Sequence, residues 1–366
     1  MATLTDSAAA TKIEQLCLNI SKSNDRTTEA KVLGRLVRWN KDNRTIVRKF
    51  GGLQAITEAI SSSSRKGDLT AVTSLANTLS FLALDPTNKT ILIDPSVIGG
   101  GCDICSIVQL VCVQLNQKQP TSIASHYIAP PTNAGVPVLC LGALAKLIWN
   151  CSTMESLHLS GATHGAPSLV KLFISETIWC SEQLDTQTTT ESTTALDVAA
   201  AHFQLLGALW ALSVGSDQWS DEQAHAWVAL LPTLLASIEK IALLVEEETF
   251  LKKRQLCTIL MGLVVHVLDA DLCCERMVEL LHQQEHEEKK EANVFYLLQQ
   301  RTAYVSGKGG EGSGGKKDAL DSYVVTMSES NEIGHLCWLA LKKILRKGDG
   351  GTRTTSDTVE NGTVAP

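Results

Sequence analysis

Aromatic residues are scarce in this sequence, as are alternating strand-like runs and basic charge. Phe, Trp and Tyr make up 5% of the 366 residues. Few stretches alternate apolar and polar residues in the way that half-buried strands do. Leu and Ala dominate the patterned segments instead, which favours helix. With 44% hydrophobic and 19% charged residues, the chain has the composition of a globular, mainly helical protein.

The lack of excess positive charge limits the kind of partner. The formal net charge is −7, whereas nucleic-acid binding needs a basic surface that displaces counterions. We therefore expect no nucleic-acid partner. No run of about 18 apolar residues indicates a membrane span, and no secretory apolar segment opens the chain. We expect a cytoplasmic protein, with a nuclear location also open.

Three short strings resemble metal or phosphate sites, but each lacks a necessary part. Cys102 and Cys105 form one C-x-x-C without a second pair, so a four-cysteine zinc site lacks half its ligands. The segment 310–316 spells G-x-x-x-x-G-K, but Lys317 stands where a P-loop needs Ser or Thr. His282 and His286 frame an H-x-x-E-H string without an obvious third ligand. We predict no cofactor and no metal, and a zinc hydrolase is our third functional interpretation, after two non-enzymatic ones.

Apolar residues recur instead at helical spacing in six segments. The first has Ala30, Leu33, Gly34 and Val37 at positions i, i+3, i+4 and i+7. The same pattern returns at Leu75, Thr78, Leu79 and Leu82; Leu141, Leu144, Ala145 and Ile148; Leu205, Ala208, Leu209 and Leu212; Leu256, Ile259, Leu260 and Leu263; Cys337, Ala340, Leu341 and Ile344. The strings RWNKDNRTIV and LDPTNKTIL follow the first two segments and match in position and kind. This periodicity predicts stacked helical repeats, each burying one seam against its neighbour.

The spacing of the first two seams is that of a known repeat class. Leu33 and Leu79 are 46 residues apart, within the ~40–47 of armadillo and HEAT units. The two longer spacings that follow, Leu79 to Leu144 and Leu144 to Leu209, are 65 residues each, which fits two inserted loops. The chain resembles armadillo-repeat proteins in Asn43-Arg44 with Gly51-Gly52-Leu53, in Leu79, Leu82 and Asn88-Lys89, and in 165–172 leading to 207–212. The resemblance implies an all-α, right-handed superhelix of about five repeats. It implies binding of extended partners along a concave face rather than catalysis.

We expect the following organisation: an N-terminal cap at 1–26, armadillo-like repeats at 27–305 with inserted loops at 116–137 and 181–197, a Gly-rich linker at 306–330, a final packed helix at 331–347 and a disordered tail at 348–366. One helix is expected from Ala224 to Val245 and another from Leu251 to Leu268.

The leading functional prediction is a non-enzymatic scaffold that binds an extended, acidic partner segment on its concave face. Importin-α-like relatives carry a Trp and Asn ladder there, and the aligned seam positions do not match it. The side chains that we expect on this face are mostly basic or aromatic: Lys31, Arg35, Arg38, Trp39, Lys146, Trp149, Asn150 and Trp210. Lys31, Arg35 and Lys146 are expected in solvent. The alternative is a regulatory adaptor for a small GTPase or for nuclear transport.

Overall fold

The computed structural model describes residues 6–22, 26–93, 104–118, 137–151, 166–186, 193–213, 221–243, 250–286, 339–340 and 342–343. Fourteen bounded helices lie within these ranges, residues 339–340 and 342–343 are also helical, and the ranges contain no β-strand. The helices are α1 (Asp6–Lys22), α2 (Arg26–Arg38), α3 (Lys41–Lys49), α4 (Gly52–Lys66), α5 (Leu69–Leu82), α6 (Pro86–Ile93), α7 (Ile104–Lys118), α8 (Val138–Cys151), α9 (Ala166–Thr186), α10 (Thr193–Leu212), α11 (Asp221–Val228), α12 (Leu231–Leu243), α13 (Phe250–Val267) and α14 (Asp271–His286).

The helices stack in two layers. In the first layer α2 packs on α5, α5 on α8, α8 on α10 and α10 on α13. In the second layer α1 packs on α4, α4 on α7, α7 on α9, α9 on α12 and α12 on α14. The short helices α3 and α6 contact one another beside the layers. This stepwise contact of each unit with its neighbour is an all-α, armadillo-like solenoid.

The apolar core lies along the predicted seams between these helices. Leu33, Leu79, Leu144 and Leu209 occupy equivalent seam positions, and all four are fully buried. Leu212, the last residue of its seam segment, and Leu256, the first of the next, are half-buried. The helical periodicity therefore identified the buried face of the first layer correctly.

The repeats match in their hydrogen bonds as well as in their apolar residues. The side-chain amide of Asn43 donates to the carbonyl of Leu36 at 2.9 Å. In the next repeat the amide of Asn88 donates to the carbonyl of Leu82 at 3.1 Å. Both bonds satisfy a carbonyl near the end of a first-layer helix, which has no partner within the helix itself. In both matching strings an Asn amide is thus hydrogen-bonded to the end of the preceding first-layer helix, across seven residues at Asn43 and six at Asn88.

An ion pair connects α3 with α6. The Asn40 side chain caps α3, and Asp85 caps α6 by accepting from the backbone N–H groups of Thr87 and Asn88 at 3.0 and 3.2 Å. Arg48 donates to Asp85 at 3.1 Å and to the side-chain oxygen of Asn88 at 2.9 Å. Each of the two short helices is therefore capped by its own repeat, and the ion pair connects them to each other.

The Gly51-Gly52 turn depends on both glycines, for different reasons. Gly51 has a φ of +68°, a conformation that L side chains rarely adopt. A Cβ on Gly52 would be 2.5 Å from Cγ1 of Val47 and 2.7 Å from Sγ of Cys17. The first glycine makes the turn and the second lets α1, α3 and α4 approach closely.

The structure has helical residues inside both predicted inserted loops. For 181–197, α9 continues to Thr186 and α10 already begins at Thr193. Ser181, Ala195 and Val198 are buried, so the ends of both helices contribute to the core. For 116–137, α7 extends to Lys118. Polar, Thr-rich composition concealed these helix ends because their burial depends on neighbouring helices.

The expected single helix from Ala224 to Val245 is instead two helices. α11 ends at Val228, and α12 begins at Leu231. Pro232 lies in the first turn of α12, where its missing N–H leaves no hydrogen bond unmade. The proline therefore begins a helix, which the apolar pattern alone did not show.

Described residues at both ends of the predicted stack pack against it. α1 packs on α4, and Ala340 near the C-terminal end is fully buried. Lys343 donates to the carbonyl of Val265 at 2.7 Å and forms an ion pair with Asp269. The predicted linker 306–330, the tail 348–366 and most of 331–347 lie outside the described residues.

One described helix is long and apolar enough to cross a membrane by those two measures alone. It is the window Ala195–Leu212 within α10, with a mean hydropathy of 1.4. We expected no such run. Half of the window is buried, and α10 packs between α8 and α13, so its apolar character has a role in the core.

Candidate protein-binding face

We call the solvent-exposed side of the first layer the free face. It carries the predicted basic residues Lys31, Arg35, Arg38 and Lys146. Lys31, Arg35 and Arg38 follow one another at i, i+4 and i+7 on α2, and all three are exposed. This spacing places them in one stripe along the helix. In proteins built from stacked repeats, the curvature of the array creates an extended concave surface for binding.

The free face has a cluster of two cations and two rings, which we call the cation–ring cluster. It consists of Arg38, Trp39, Phe81 and Lys146. The guanidinium of Arg38 is 4.7 Å from the ring centroid of Trp39 and 5.4 Å from that of Phe81. The ammonium of Lys146 is 4.5 Å from the same Phe81 centroid. Helices α2 and α8 thus place one cation each on a ring that α5 holds between them.

Lys146 differs from our expectation of a fully solvated charge. It is half-buried, and its pKa is lowered, first by burial and second by the positive charge of Arg38. A neighbouring like charge disfavours the protonated form, as does loss of water. The quadrupole of the Phe81 ring attracts both cations and partly offsets this cost. Lys31 and Arg35 lie in solvent, as expected.

The cation–ring cluster has no acidic counterpart in the described part of the chain. Neither Arg38 nor Lys146 belongs to an ion pair among the described residues. Helices α5 and α8 contain no Asp or Glu. Within the described ranges, the positive charge at this point therefore has no ion-pair partner.

The predicted residues Trp149 and Trp210 pack against the next helix of the layer. Trp149 lies directly over Gly207, where an added Cβ would be 2.5 Å from its Cε3. It also meets Phe203 edge to face, with centroids 5.5 Å apart. Trp210 lies in the same way over Gly262, where an added Cβ would be 2.6 Å from its Cε2. Both rings are half-buried, so they connect successive helices.

The other two predicted site residues, Asn150 and Trp39, have different roles. The Asn150 side chain donates to the carbonyl of Ser80 at 3.0 Å, which links α8 to α5. Trp39 is 83% exposed and contacts Arg38. Asn150 therefore stabilises the layer, whereas Trp39 presents a large ring to solvent.

Sequence reasoning missed Phe81, the ring at the centre of the cluster. The glycines Gly207 and Gly262 were also missed as ring-accepting positions. A glycine within an apolar helix costs roughly 0.5–1 kcal/mol relative to Ala. That cost was a usable signal that another group approaches closely there.

The three motif-like strings receive no support as sites from the described residues. His282 and His286 lie in α14, but their side chains are outside the described set, as is segment 310–316. Within the described residues no group of three or more His, Cys, Asp or Glu could hold a metal. The zinc interpretation therefore stays a sequence prediction.

The eight cysteines whose side chains the structure describes are all buried. Burial raises the pKa of Cys17 to about 11, with a smaller effect from Glu14, and it raises the pKa of Cys140 to about 12. Because the thiolate is the reactive form, these groups act as small apolar side chains.

Comparison with solved structures finds similarity to engineered proteins. A designed armadillo repeat protein is 9% identical, with 91% of this chain and 99% of that chain covered and a TM-score of 0.44. Another engineered protein is 12% identical, with 91% and 96% covered and a TM-score of 0.45. No family model and no curated protein matches the chain. Because these scores are low, the fold assignment depends on the layered packing described above.

Proposed function

We propose that this protein is an interaction scaffold whose free face binds an extended, acidic segment of a partner protein. The observation that carries the proposal is the position of Arg38 and Lys146 over one Phe81 ring, with no carboxylate paired to either among the described residues. A carboxylate of the partner would relieve the repulsion between the two cations. Lys31 and Arg35 extend the positive stripe along α2.

The size of the site favours an extended segment. Neighbouring helix axes are about 8–10 Å apart, so α2, α5 and α8 together span roughly 20 Å. An extended chain rises about 3.3 Å per residue. About six residues therefore cross the cation–ring cluster, and a peptide of about 12 residues would cover it with flanking contacts.

We expect long-range electrostatic attraction of the partner to be combined with a few short-range contacts. An exposed ion pair contributes only about 0.2–1 kcal/mol. Lys146 is half-buried, so solvent and salt screen its charge less. The exposed Trp39 ring adds apolar contact area. Complementary charge mainly raises the association rate and makes binding sensitive to salt.

The test uses a fluorescein-labelled peptide of about 12 residues in which Glu alternates with Leu, and a Lys-for-Glu counterpart. Fluorescence anisotropy measures affinity at two salt concentrations. We expect the acidic peptide to bind, the basic one not to bind, and added salt to weaken binding. Arg38→Gln with Lys146→Gln should weaken affinity by about tenfold or more, equivalent to about 1.4 kcal/mol.

The matched control is Arg65→Gln with Lys66→Gln, which removes the same charge from the exposed last turn of α4 in the second layer. It should leave affinity unchanged. Equal loss in both double variants would attribute binding to overall charge and contradict a site on the free face. Absence of acidic-peptide binding by the folded wild-type protein would also refute the proposal.

The other functional predictions have no described observation in their favour. A regulatory adaptor for a small GTPase or for nuclear transport would use the same fold, but no further feature of the described residues points to either. The cytoplasmic location, with the nucleus also open, likewise stays a prediction.

A further inference from the structure

The cation–ring cluster concentrates charge more than the rest of the free face. Lys31 and Arg35 lie one turn apart and are exposed to water. Arg38 and Lys146 come from different helices and converge on a single ring, at 5.4 and 4.5 Å from its centroid. Acidic side chains spread along a peptide would match the first arrangement. A single group with more than one negative charge would match the second.

We propose that the cation–ring cluster binds a phosphorylated serine or threonine within the partner segment. This inference rests on the proposed function and names the group that the free face recognises best. A phosphorylated side chain carries about −1.5 to −2 charges at pH 7 and three strong acceptor oxygens. A carboxylate carries one charge, so it cannot match both cations equally well.

The two cations would donate hydrogen bonds to a phosphate with different geometries. The guanidinium of Arg38 has a planar fork of donors that fits two phosphate oxygens. Lys146 has a compact charge with three donors. Contacts with Trp39 and Phe81 hold both heads in place before binding. This preorganisation reduces the side-chain entropy that the complex would otherwise lose.

Binding of a dianion should also change the protonation of Lys146. The pKa of this lysine is lowered by burial and by Arg38, and a bound phosphate would raise it again. Affinity should therefore fall as the pH rises from neutral towards the ordinary lysine value of 10.5, because an increasing fraction of free Lys146 must gain a proton to bind. Arg does not lose its proton in this range. Lys146→Arg should bind with little pH dependence.

The test compares three peptides that are identical except for a central Ser, Glu or phosphoserine. We expect phosphoserine to bind about tenfold tighter than Glu, and Glu tighter than Ser. Lys146→Gln should remove most of the advantage of phosphoserine over Glu. The control Lys66→Gln, on α4 of the second layer, should keep it.

Two results would overturn the inference and leave the scaffold intact. One is equal binding of the phosphoserine and Glu peptides, which would make the face a general acidic-segment site. The other is a pH dependence in Lys146→Arg as steep as in the wild type, which would place the titrating group elsewhere. Failure of all three peptides to bind would overturn the proposed function as well.

Discussion

The indole of Trp149 occupies the space that a side chain on Gly207 would fill. A Cβ at Gly207 would be 2.5 Å from Cε3 of that ring, and real Cβ atoms do not come so close. Trp149 is on α8 and Gly207 on α10, so the contact crosses two helices of the first layer. The approach of these helices depends on a glycine that the chain places in an otherwise apolar helix.

Gly207→Ala should therefore destabilise the protein, although alanine is the better helix former. We expect a net loss of about 1–3 kcal/mol because the ring must leave its position in a packed interface. Urea unfolding measures it. Trp149→Leu removes the obstructing ring, so the double variant Trp149→Leu with Gly207→Ala should lose less than the sum of the two single variants. Additive losses would show that ring and glycine do not contact in solution.

Truncation of the seam leucines should be costly. Leu144 and Leu209 are fully buried, and each change to Ala should cost about 2–5 kcal/mol through lost burial and a residual cavity. Leu196 provides the matched control because it is 64% exposed, and Leu196→Ala should change stability by less than about 0.5 kcal/mol. Denaturant midpoints of the three variants measure the differences. Small losses at both seam positions would contradict the repeat alignment.

The same positions show what could be predicted from sequence. The seam at Leu144 and Leu209 was predictable because local helical periodicity determines which face is apolar. The contact between Trp149 and Gly207 was not, because it depends on how two helices about 60 residues apart in the chain are rotated against each other. Arg38 and Lys146 were recognised as basic, but their convergence on Phe81 also required that rotation. The prediction of a loop at 181–197 was wrong for the end of α9 and the start of α10, because their mostly polar sequences do not show which side chains neighbouring helices bury.

Replacement of Asp85 should weaken the connection between the first short helices. Its carboxylate caps α6 and pairs with Arg48, and it is 4% exposed. Asp85→Ala removes both contacts and should cost about 1–2 kcal/mol. Asp85→Asn keeps an oxygen for the cap and should cost less. Thermal unfolding followed by circular dichroism compares them, and equal losses would mean that the cap contributes nothing.

Stability should fall on mild acidification through His266. Its Nδ1 is 3.2 Å from Oγ of Ser213. Burial lowers the pKa of His266 from its ordinary 6.5, Asp269 raises it and Lys343 lowers it further. The unfolded chain therefore binds the proton more readily than the folded one. This contribution to stability is complete above about pH 6.5 and is lost as the pH falls below it.

Chemical denaturation from about pH 7.5 to about pH 5 measures this effect. His266→Gln should show a shallower decline over that interval because it has no proton to gain. An unchanged slope would assign the acid sensitivity to other groups.

We expect residues 331–348 to contribute to stability and residues 349–366 not to contribute. Deletion of 331–366 removes Ala340, which is buried, and Lys343, which contacts Val265 and Asp269. It should lower the melting temperature or cause aggregation, because the apolar end of the stack loses its cover. Deletion of 349–366 is the control and should leave the melting temperature unchanged. Equal melting of both truncations would show that residues 339–343 are not docked.

The paired bonds of Asn43 and Asn88 have a consequence for grafting. Each carboxamide donates to a carbonyl at the end of the preceding first-layer helix, that of Leu36 or Leu82. A segment that runs from one asparagine to the other therefore begins and ends at a similar side-chain-to-carbonyl bond. We expect a tandem copy of it to meet similar junctions on both sides and to lengthen the array by one unit.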